Sequence, residues 1–190
     1  MSVIVVLKEK DKYIIGCDTR ISSDNGSFID DYYQVKKARH IDFNNEVIIG
    51  AVGRVSILDI VEHIISEMKT LNKRTIITEL IPKLQKSILN TPCCNQHFEM
   101  EAEIIIAIKN KAYSISSDYL VKDIQNEYVV GSGASASYGS LYTSRNLVMS
   151  AEERVALAIL SAASVDYHVS SEVYIGDTKG KVFKRIETTI

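Results

Sequence analysis

The sequence predicts a single α+β domain in which helices cover β-sheets. Three observations lead to this prediction: the chain has 190 residues, 46% of them are hydrophobic, and its apolar patterns alternate between strand and helix character. A chain of this length is typical of one domain and is long enough to bury about 70% of its unfolded surface. The order of elements is strands, two helices, strands, two helices and strands, which is typical of sheets with helices outside them. The sequence has no linker, repeat or low-complexity segment, so we expect one domain over residues 1–190.

The first part of the chain is predicted to form four strands followed by two helices. β-Branched and aromatic runs that are split by a charged turn predict an N-terminal hairpin, and two more strands follow a polar loop. Two stretches with helical apolar spacing come next, and Pro82 is expected to kink or start the second. The predicted strands are Val3 to Leu7, Tyr13 to Cys17, Val35 to Ile41 and Val47 to Val52, and the predicted helices are Val55 to Leu71 and Ile76 to Leu89.

The second part of the chain returns to strands and then repeats the helix and strand pattern. Ser150 and Glu153 have the Ser-x-x-Glu spacing of a capping box, which predicts a helix that starts at Ala151. The other predicted elements are strands Ile104 to Ile108, Lys111 to Ser116 and Tyr128 to Val130, a helix around Tyr138 to Arg145, and final strands Glu172 to Ile175 and Lys181 to Ile186.

Charge and cysteine usage exclude several classes of protein. With 22 basic and 24 acidic side chains the formal net charge is -2, so we expect no nucleic-acid partner and no attraction to an acidic membrane surface. The longest apolar runs, such as Val3 to Leu7, are too short to cross a bilayer, and the charged residues Lys8 to Lys12 exclude a secretory signal. The three cysteines form no CxxC pair and predict no disulfide framework. We therefore expect a cytoplasmic protein.

Ser2 is a candidate nucleophile. Removal of Met1 requires a small second residue, so the mature chain is expected to begin with a serine that carries a free α-amine. An α-amine has a pKa of about 8 and can act as a general base near neutral pH. An N-terminal hydroxyl that is activated by its own amine is a known nucleophile. Most chains that begin with Met-Ser use this serine for no chemistry, so the assignment depends on other motifs.

Five short motifs support the assignment of Ser2, and together they resemble the proteasome β-subunit family. In that family an N-terminal Thr or Ser is followed by an apolar strand, Gly/Ala-x-Asp-x-Arg, Val-x-Lys-Val/Ile, a Gly-rich turn and a later Gly-Ser-Gly turn. The interval of 16 residues from Ser2 to Asp18 matches the family without a gap. The chain carries Ser2 with Val3 to Leu7, Cys17-Asp18-Thr19-Arg20, Val35-Lys36-Lys37-Ala38, Gly50-Ala51-Val52-Gly53 and Val130-Gly131-Ser132-Gly133.

The resemblance covers the chain from Ser2 to about Ile186, and it implies a fold and a function. The implied fold is the N-terminal-nucleophile hydrolase fold, a four-layer αββα sandwich. The implied function is that of a peptidase subunit in a self-compartmentalising protease that cleaves peptides or unfolded proteins. Such subunits form homo-oligomers in stacked rings, and the bacterial subunit works with an AAA+ ATPase unfoldase. The resemblance implies no cofactor and no metal.

The resemblance also implies how the attacking group is activated. Ser2 would be the nucleophile and its α-amine the base. Lys37 would lower the proton affinity of the amine through its positive charge, and Asp18 would pair with Lys37. The loop between Asp18 and Lys37 is about three residues longer than in the bacterial subunit, which leaves Lys36 as the alternative to Lys37.

Three further residues have implied roles around the nucleophile. The backbone N–H of Gly53 would face the developing oxyanion, and Ser132 and Asp166 would position the amine and a water molecule. The chain departs from the family at two places near these residues. Arg54 stands where the family often has a small residue, and Val169 stands where many members have a serine.

Three other interpretations of the sequence are open. The first is a non-catalytic structural subunit of the same fold. The second is a nucleotide-binding α/β protein, because Gly131 to Ala136 match G-x-G-x-x-A, but Glu152 opens a helix instead of closing a second strand. The third is a zinc site at Cys93, Cys94 and His97, which lacks a second ligand pair of suitable spacing.

Overall fold

The computed structural model describes residues 2–22, 27–30, 34–38, 47–89, 91, 93–179 and 184–186. The strands, numbered along the chain, are β1 (Val3–Glu9), β2 (Lys12–Asp18), β3 (Ile21–Ser22), β4 (Phe28–Ile29), β5 (Val35–Ala38), β6 (Val47–Gly53), β7 (Ala102–Ile108), β8 (Lys111–Ile115), β9 (Val121–Asp123), β10 (Glu127–Gly131), β11 (Val173–Asp177) and β12 (Lys184–Ile186). The helices are α1 (Ile57–Glu67), α2 (Lys73–Thr75), a π-helical turn (Ile76–Leu80), α3 (Ile81–Ile88), α4 (Ala134–Thr143), a 3-10 turn (Ser144–Asn146) and α5 (Ala151–Ala163).

The strands form two five-stranded antiparallel sheets. The first sheet has the order β10, β1, β2, β11, β12, and the second has the order β5, β6, β7, β8, β9. A separate two-stranded ribbon is formed by β3 and β4. The structure is therefore a mixed α/β domain in which both main sheets are antiparallel.

A hydrophobic core joins strands of the two sheets. Residues of β1 and β2 form one buried cluster with residues of β6 and β7, which shows that these strands meet face to face. The cluster includes Ile4, Val6 and Ile15 from the first sheet and Ile48, Ile105 and Ala107 from the second.

The other face of each sheet is buried against helices. The first sheet packs against α4 and α5 through Val3, Val5, Ile14, Leu141, Val155 and Ile159. The second packs against α1, the π-helical turn and α3 through Ile49, Ile104, Ile57, Ile65, Leu80 and Leu84. In the described residues, none of these helices is long and apolar enough to span a membrane.

The burial of β1 on both faces explains its sequence. All residues from Val3 to Leu7 are at most 4% exposed, because successive side chains point alternately into the inter-sheet core and the helix-side core. A strand with one solvated face would alternate between apolar and polar residues. The continuous apolar run is therefore the mark of a strand that is covered on both sides.

The helical segment around Pro82 has an irregular turn. Proline lacks a backbone N–H, and in a regular α-helix its ring clashes with the carbonyl four residues before it. The predicted helix accordingly contains a π-helical turn immediately before α3, in which the N–H of Ile81 donates to the carbonyl of Ile76, and Pro82 lies in the first turn of α3. The prediction of a kink or helix start near Pro82 is confirmed.

Several predicted boundaries shift. The region predicted as a polar loop contains β3 and β4, so in the described part of the chain six strands precede α1 instead of the predicted four. Helix α4 begins at Ala134, directly after the glycine turn. The capping box is confirmed, because Ser150 accepts from the N–H of Glu153 and the Glu153 side chain accepts from the N–H of Ser150. Asp166 lies beyond the end of α5, and the predicted strand segments 39–41 and 181–183 lie outside the described residues.

Candidate active site

Ser2 directly precedes β1 and lies against β10. Val3 pairs with Gly131 across the two strands, and Ser2 is only 3% exposed. Gly131 has a φ of +110°, and a Cβ atom on it would lie 2.0 Å from the carbonyl oxygen of Ser2. Only glycine allows both this backbone conformation and this close approach. The glycine of the Gly-Ser-Gly motif therefore permits β10 to reach the residue that carries the predicted nucleophile.

Asp18 is a buried carboxylate that binds three backbone N–H groups. Its Oδ1 accepts from Val3 at 2.9 Å, and its Oδ2 accepts from Arg20 at 3.2 Å and from Ser170 at 3.0 Å. The residue is fully buried at the end of β2. Asp18 thus connects the residue after Ser2, the end of its own strand and the segment before β11.

Burial raises the pKa of Asp18. Loss of solvent favours the neutral acid, whereas the three N–H donors favour the carboxylate, and the result is a pKa of about 6. The pKa of this carboxyl therefore lies about two units above its ordinary value of 3.8 and closer to physiological pH. A cation beside this group would favour its ionised form.

Ser132 and Asp166 lie in the second half of the sequence and are grouped near Ser2 in the structure. The Oγ of Ser132 lies 3.5 Å from the carbonyl oxygen of Ser2, and Oδ1 of Asp166 accepts from the N–H of His168 at 3.0 Å. Partial burial raises the pKa of Asp166, but hydrogen bonds from Ser132 and His168 lower it more, so it lies below the ordinary value. The single hydroxyl proton of Ser132 can serve either acceptor, so Ser132 lies between Asp166 and the carbonyl of Ser2.

Gly53 ends β6 in a conformation that favours glycine. Its φ is +92°, and a Cβ atom there would lie 2.5 Å from the carbonyl oxygen of Glu101. The next residue, Arg54, donates its backbone N–H to the same carbonyl at 2.9 Å. Glu101 therefore fixes the turn that exposes Gly53.

A cleft of about 550 Å³ opens beside these residues. Its lining includes Ser2, Ser132, Gly53, the segment 52–56 and Glu101. At its edge the Arg54 guanidinium donates to Glu101 Oε2 from Nη2 at 2.8 Å and from Nε at 3.1 Å. The cleft thus brings together the hydroxyl-bearing residue Ser2 and the backbone of Gly53, and acyl transfer uses a hydroxyl nucleophile and a backbone N–H donor.

The two lysines of β5 differ in what the structure describes. Lys36 binds two carboxylates of α1, Asp59 and Glu62, with both N–O distances at 2.7 Å. It therefore faces the helix layer and not the other sheet. Lys37 pairs with Ile48 in the backbone ladder, and its side chain lies outside what the structure describes.

The sequence analysis did not predict two contacts that tie the end of β2 to the segment 167–170. Ser170 binds Asp18 through its backbone N–H, which no side-chain motif could indicate, while Val169 belongs to the helix-side core of the first sheet. Arg20 of the Asp-x-Arg motif donates to the carbonyl of Tyr167 at 2.9 Å and to Asp30 at 2.7 Å. The motif arginine therefore ties the end of β2 to the residue after Asp166.

The geometry of the glycine turn does not match a dinucleotide site. The segment 131–136 follows β10, which is antiparallel to β1, and leads into α4, which lies next to α5 in the same layer. A dinucleotide site needs a parallel βαβ unit in which the first strand leads into the helix. The nucleotide-binding interpretation therefore has no structural support at this motif.

Comparisons with known proteins find similar structures, whereas the comparisons of sequence find no match. No protein-family model matches the chain, and no curated protein sequence matches it significantly. A structure of BPH from Thiobacillus denitrificans in complex with epoxomicin matches with a TM-score of 0.75 and 14% identity, over 92% of this chain and 97% of that one. A second structure of this BPH gives a TM-score of 0.75 and 15% identity, over 92% and 96% of the two chains. HslV from Trypanosoma brucei gives 0.67 and 16%, over 92% and 98%. The chain has the fold of these HslV and proteasome-like structures, as its resemblance to the proteasome β-subunit family predicts.

Proposed function

We propose that this protein is the peptidase subunit of a self-compartmentalising protease and that Ser2 is its nucleophile. The observation that carries the proposal is the shared cleft of Ser2, Ser132 and Gly53. Asp18 and Asp166 also support the proposal, because each accepts a hydrogen bond from a residue that contacts or adjoins Ser2. The donor is Val3 for Asp18 and Ser132 for Asp166.

The proposed reaction is acyl transfer in two steps. After Met1 is removed, the Ser2 hydroxyl attacks the scissile carbonyl, and its proton passes to the α-amine of the same residue. The backbone N–H of Gly53 stabilises the oxyanion. The C–N bond then breaks as the amine gives its proton to the leaving nitrogen, and an ester on Ser2 remains. A water molecule, deprotonated by the amine, hydrolyses this ester and restores the hydroxyl.

The proposal assigns Lys37 to the activation of the amine. Lys36 is engaged with Asp59 and Glu62 on the helix side, and neighbouring residues of a strand belong to opposite faces of a sheet. Lys37 is therefore the lysine of β5 that can serve Ser2 and pair with Asp18. A positive charge there keeps the amine unprotonated more often at neutral pH.

The proposal extends to architecture and assembly. It treats residues 1–190 as one domain with a four-layer αββα arrangement, located in the cytoplasm. An unguarded nucleophile would cleave cytoplasmic proteins indiscriminately, so we propose stacked homo-oligomeric rings of at least six copies, which an AAA+ unfoldase can supply with unfolded protein. Light scattering after size-exclusion chromatography tests the assembly, and a stable monomer at micromolar concentration contradicts it.

The catalytic proposal is tested by the change Ser2→Ala. We expect it to abolish hydrolysis of fluorogenic peptides while the oligomeric mass stays unchanged, because the hydroxyl is the attacking group. Ser2→Thr is expected to stay active, and Ser56→Ala, a serine that lines the same cleft, is the matched control. Near-normal turnover in Ser2→Ala overturns the proposal. Epoxomicin, which BPH binds in its solved complex, offers a second readout, since wild-type protein but not Ser2→Ala is expected to bind it with a gain in mass detectable by mass spectrometry.

A second candidate is a non-catalytic subunit of the same fold. It is favoured by the burial of Ser2, which is only 3% exposed. Mass spectrometry of the purified protein decides between the two. A free Ser2 amine supports the peptidase, whereas a retained Met1 or an acetylated Ser2 supports the non-catalytic subunit.

A further inference from the structure

A second pocket lies at the other end of β1. Ser2 precedes the first residue of β1, whereas Lys8 is next to its last residue, which places the two about 20 Å apart along the strand. The pocket has a volume of about 630 Å³, and its lining includes Lys8, Lys73, Arg74, Lys111 and Asp123. We refer to these five residues as the basic pocket.

The basic pocket has an excess of positive charge. It contains four cationic side chains and one carboxylate, and that carboxylate, Asp123, is paired with Lys73. Lys8, Arg74 and Lys111 have no ion-pair partner among the residues that the structure describes. Within the described part of the chain, three positive charges therefore converge on one concavity without compensation. Such an arrangement raises the local concentration of anions.

The cations come from three separate segments that are held in place. Lys8 is in β1 and Lys111 begins β8, while Lys73 and Arg74 are in α2. Asn72 fixes the start of α2, because its side chain accepts from the N–H groups of Arg74 and Thr75. The positions of the charges thus depend on the tertiary fold and not on one flexible segment.

The lining of the pocket includes two buried tyrosines. Tyr13 and Tyr113 are each 2% exposed, and the hydroxyl of Tyr13 donates to the carbonyl of Ile124 at 2.6 Å. The ammonium of Lys8 lies 5.7 Å from the centre of the Tyr13 ring, which positions it over this ring. A ligand would therefore meet a preformed surface with charged groups around it.

We propose that the basic pocket binds a small multivalent phosphate anion, either inorganic polyphosphate or the phosphate chain of a nucleotide. Three such cations within one pocket need several negative charges in a compact ligand, and linked phosphate groups supply them at high density. Charge-assisted hydrogen bonds from lysine and arginine to phosphate oxygens are among the strongest that side chains make. This site is independent of the chemistry proposed at Ser2.

Calorimetric titration of the full-length protein tests this proposal, with sodium tripolyphosphate and ATP as separate probes at about 0.15 M salt. The double change Lys8→Gln with Lys111→Gln should weaken the binding of the tighter probe by about ten-fold or more. Lys86→Gln with Lys122→Gln changes the net charge equally at exposed lysines outside the pocket and should alter affinity less than about two-fold. Thermal melting of both variants checks that they remain folded.

The comparison of probes identifies the source of the phosphate. Tighter binding of tripolyphosphate supports an inorganic chain, and tighter binding of ATP supports a nucleotide. The proposal is overturned if neither probe binds, if both double variants weaken binding equally, or if a hexaglutamate peptide binds more tightly than either phosphate probe.

Discussion

The backbone N–H of Val3 donates a 2.9 Å hydrogen bond to Oδ1 of Asp18, so the residue after Ser2 is anchored to a buried carboxylate at the end of the next strand. Because Val3 is covalently joined to Ser2, this bond restricts where the Ser2 backbone can lie. The position of the proposed nucleophile therefore depends on a group that need not touch the substrate.

Replacement of Asp18 by Asn should destabilise the protein. The amide has one acceptor oxygen, so its NH₂ group must face at least one of the three backbone donors that the carboxylate now satisfies. Each buried donor that loses its partner costs about 1–3 kcal/mol. Urea denaturation should show a loss of this size, whereas the exposed control Asp118→Asn should change stability by less than about 0.5 kcal/mol. Equal effects of the two changes would contradict the role of Asp18.

Asp18 should also make stability depend on pH in a specific direction. Its pKa is about 6 in the folded protein and close to the ordinary 3.8 when unfolded, so the folded state binds more protons between these values. The contribution of Asp18 is therefore most favourable below about pH 4 and is lost as pH rises through 6, by about 3 kcal/mol in total. Asp18→Asn, which cannot titrate, removes this component. Denaturation of both proteins from pH 4 to 7 should show a steeper decline for the wild type, and parallel curves would refute the prediction.

The two lysines of β5 should differ in their effect on rate. If Lys37 activates the amine of Ser2, Lys37→Met should lower the rate of peptide hydrolysis by about 10²–10⁴-fold. If Lys37 also pairs with Asp18, as proposed, its loss should raise the pKa of Asp18. Lys36→Met removes only the ion pairs with Asp59 and Glu62 and should cost about 0.2–1 kcal/mol of stability, with hydrolysis nearly unchanged. Equal losses of rate would show that the assignment of Lys37 is wrong.

Two glycines allow a matched test of the contact between β10 and Ser2. In Gly131→Ala the new methyl group would lie 2.0 Å from the Ser2 carbonyl oxygen, at a φ that alanine rarely adopts, so stability should fall by more than about 1 kcal/mol and hydrolysis should be lost. Gly139 lies in α4, and a methyl group added to it would meet no described atom within 4 Å outside its own helix backbone. Gly139→Ala should raise stability by about 0.5–1 kcal/mol. Thermal unfolding of both variants measures the contrast, and a stable Gly131→Ala protein would mean that β10 can move away from Ser2.

The Arg54–Glu101 pair should set the charge preference of the cleft. In the wild type the two charges neutralise each other, so peptides with lysine or glutamate near the scissile bond should be cleaved at similar kcat/KM. Arg54→Ala should favour the lysine peptide and Glu101→Ala the glutamate peptide, each by about three- to ten-fold. In the double variant, the ratio of kcat/KM for the lysine peptide to that for the glutamate peptide should return to the wild-type value. If the ratio of the two kcat/KM values is the same in the wild type and in all three variants, the substrate side chains do not lie near this pair.

The sequence predicts the fold well where a local pattern has one physical solution. The run Val3 to Leu7 indicates a strand, and the spacing of Ser150 and Glu153 locates the start of α5 to the residue. The two-residue strands β3 and β4 escape prediction because they are too short to show a period.

The sequence motifs group the candidate site residues, but they do not show the contacts between them. Motif order groups Ser2, Asp18 and Ser132, but it cannot show that the backbone N–H of Ser170 completes the shell of Asp18, 152 residues away. Backbone donors have the same chemistry in every residue, so their partners become visible only in three dimensions. The ion-pair partners of Lys36 on α1 could not be predicted for a similar reason, since the sequence does not show which surface carboxylate lies beside a given lysine.

The hydrogen bond from Ser170 to Asp18, together with the pairing of β11 with β2, has a consequence for synthesis of the chain. A ribosome makes Ser2 and Asp18 well before the segment that completes their surroundings, because Ser170 follows Asp18 by 152 residues. Until then β2 lacks its partner β11, and Asp18 lacks one of its three donors. A nascent or prematurely terminated chain thus carries the proposed nucleophile without the arrangement around it, and the order of translation delays completion of the site.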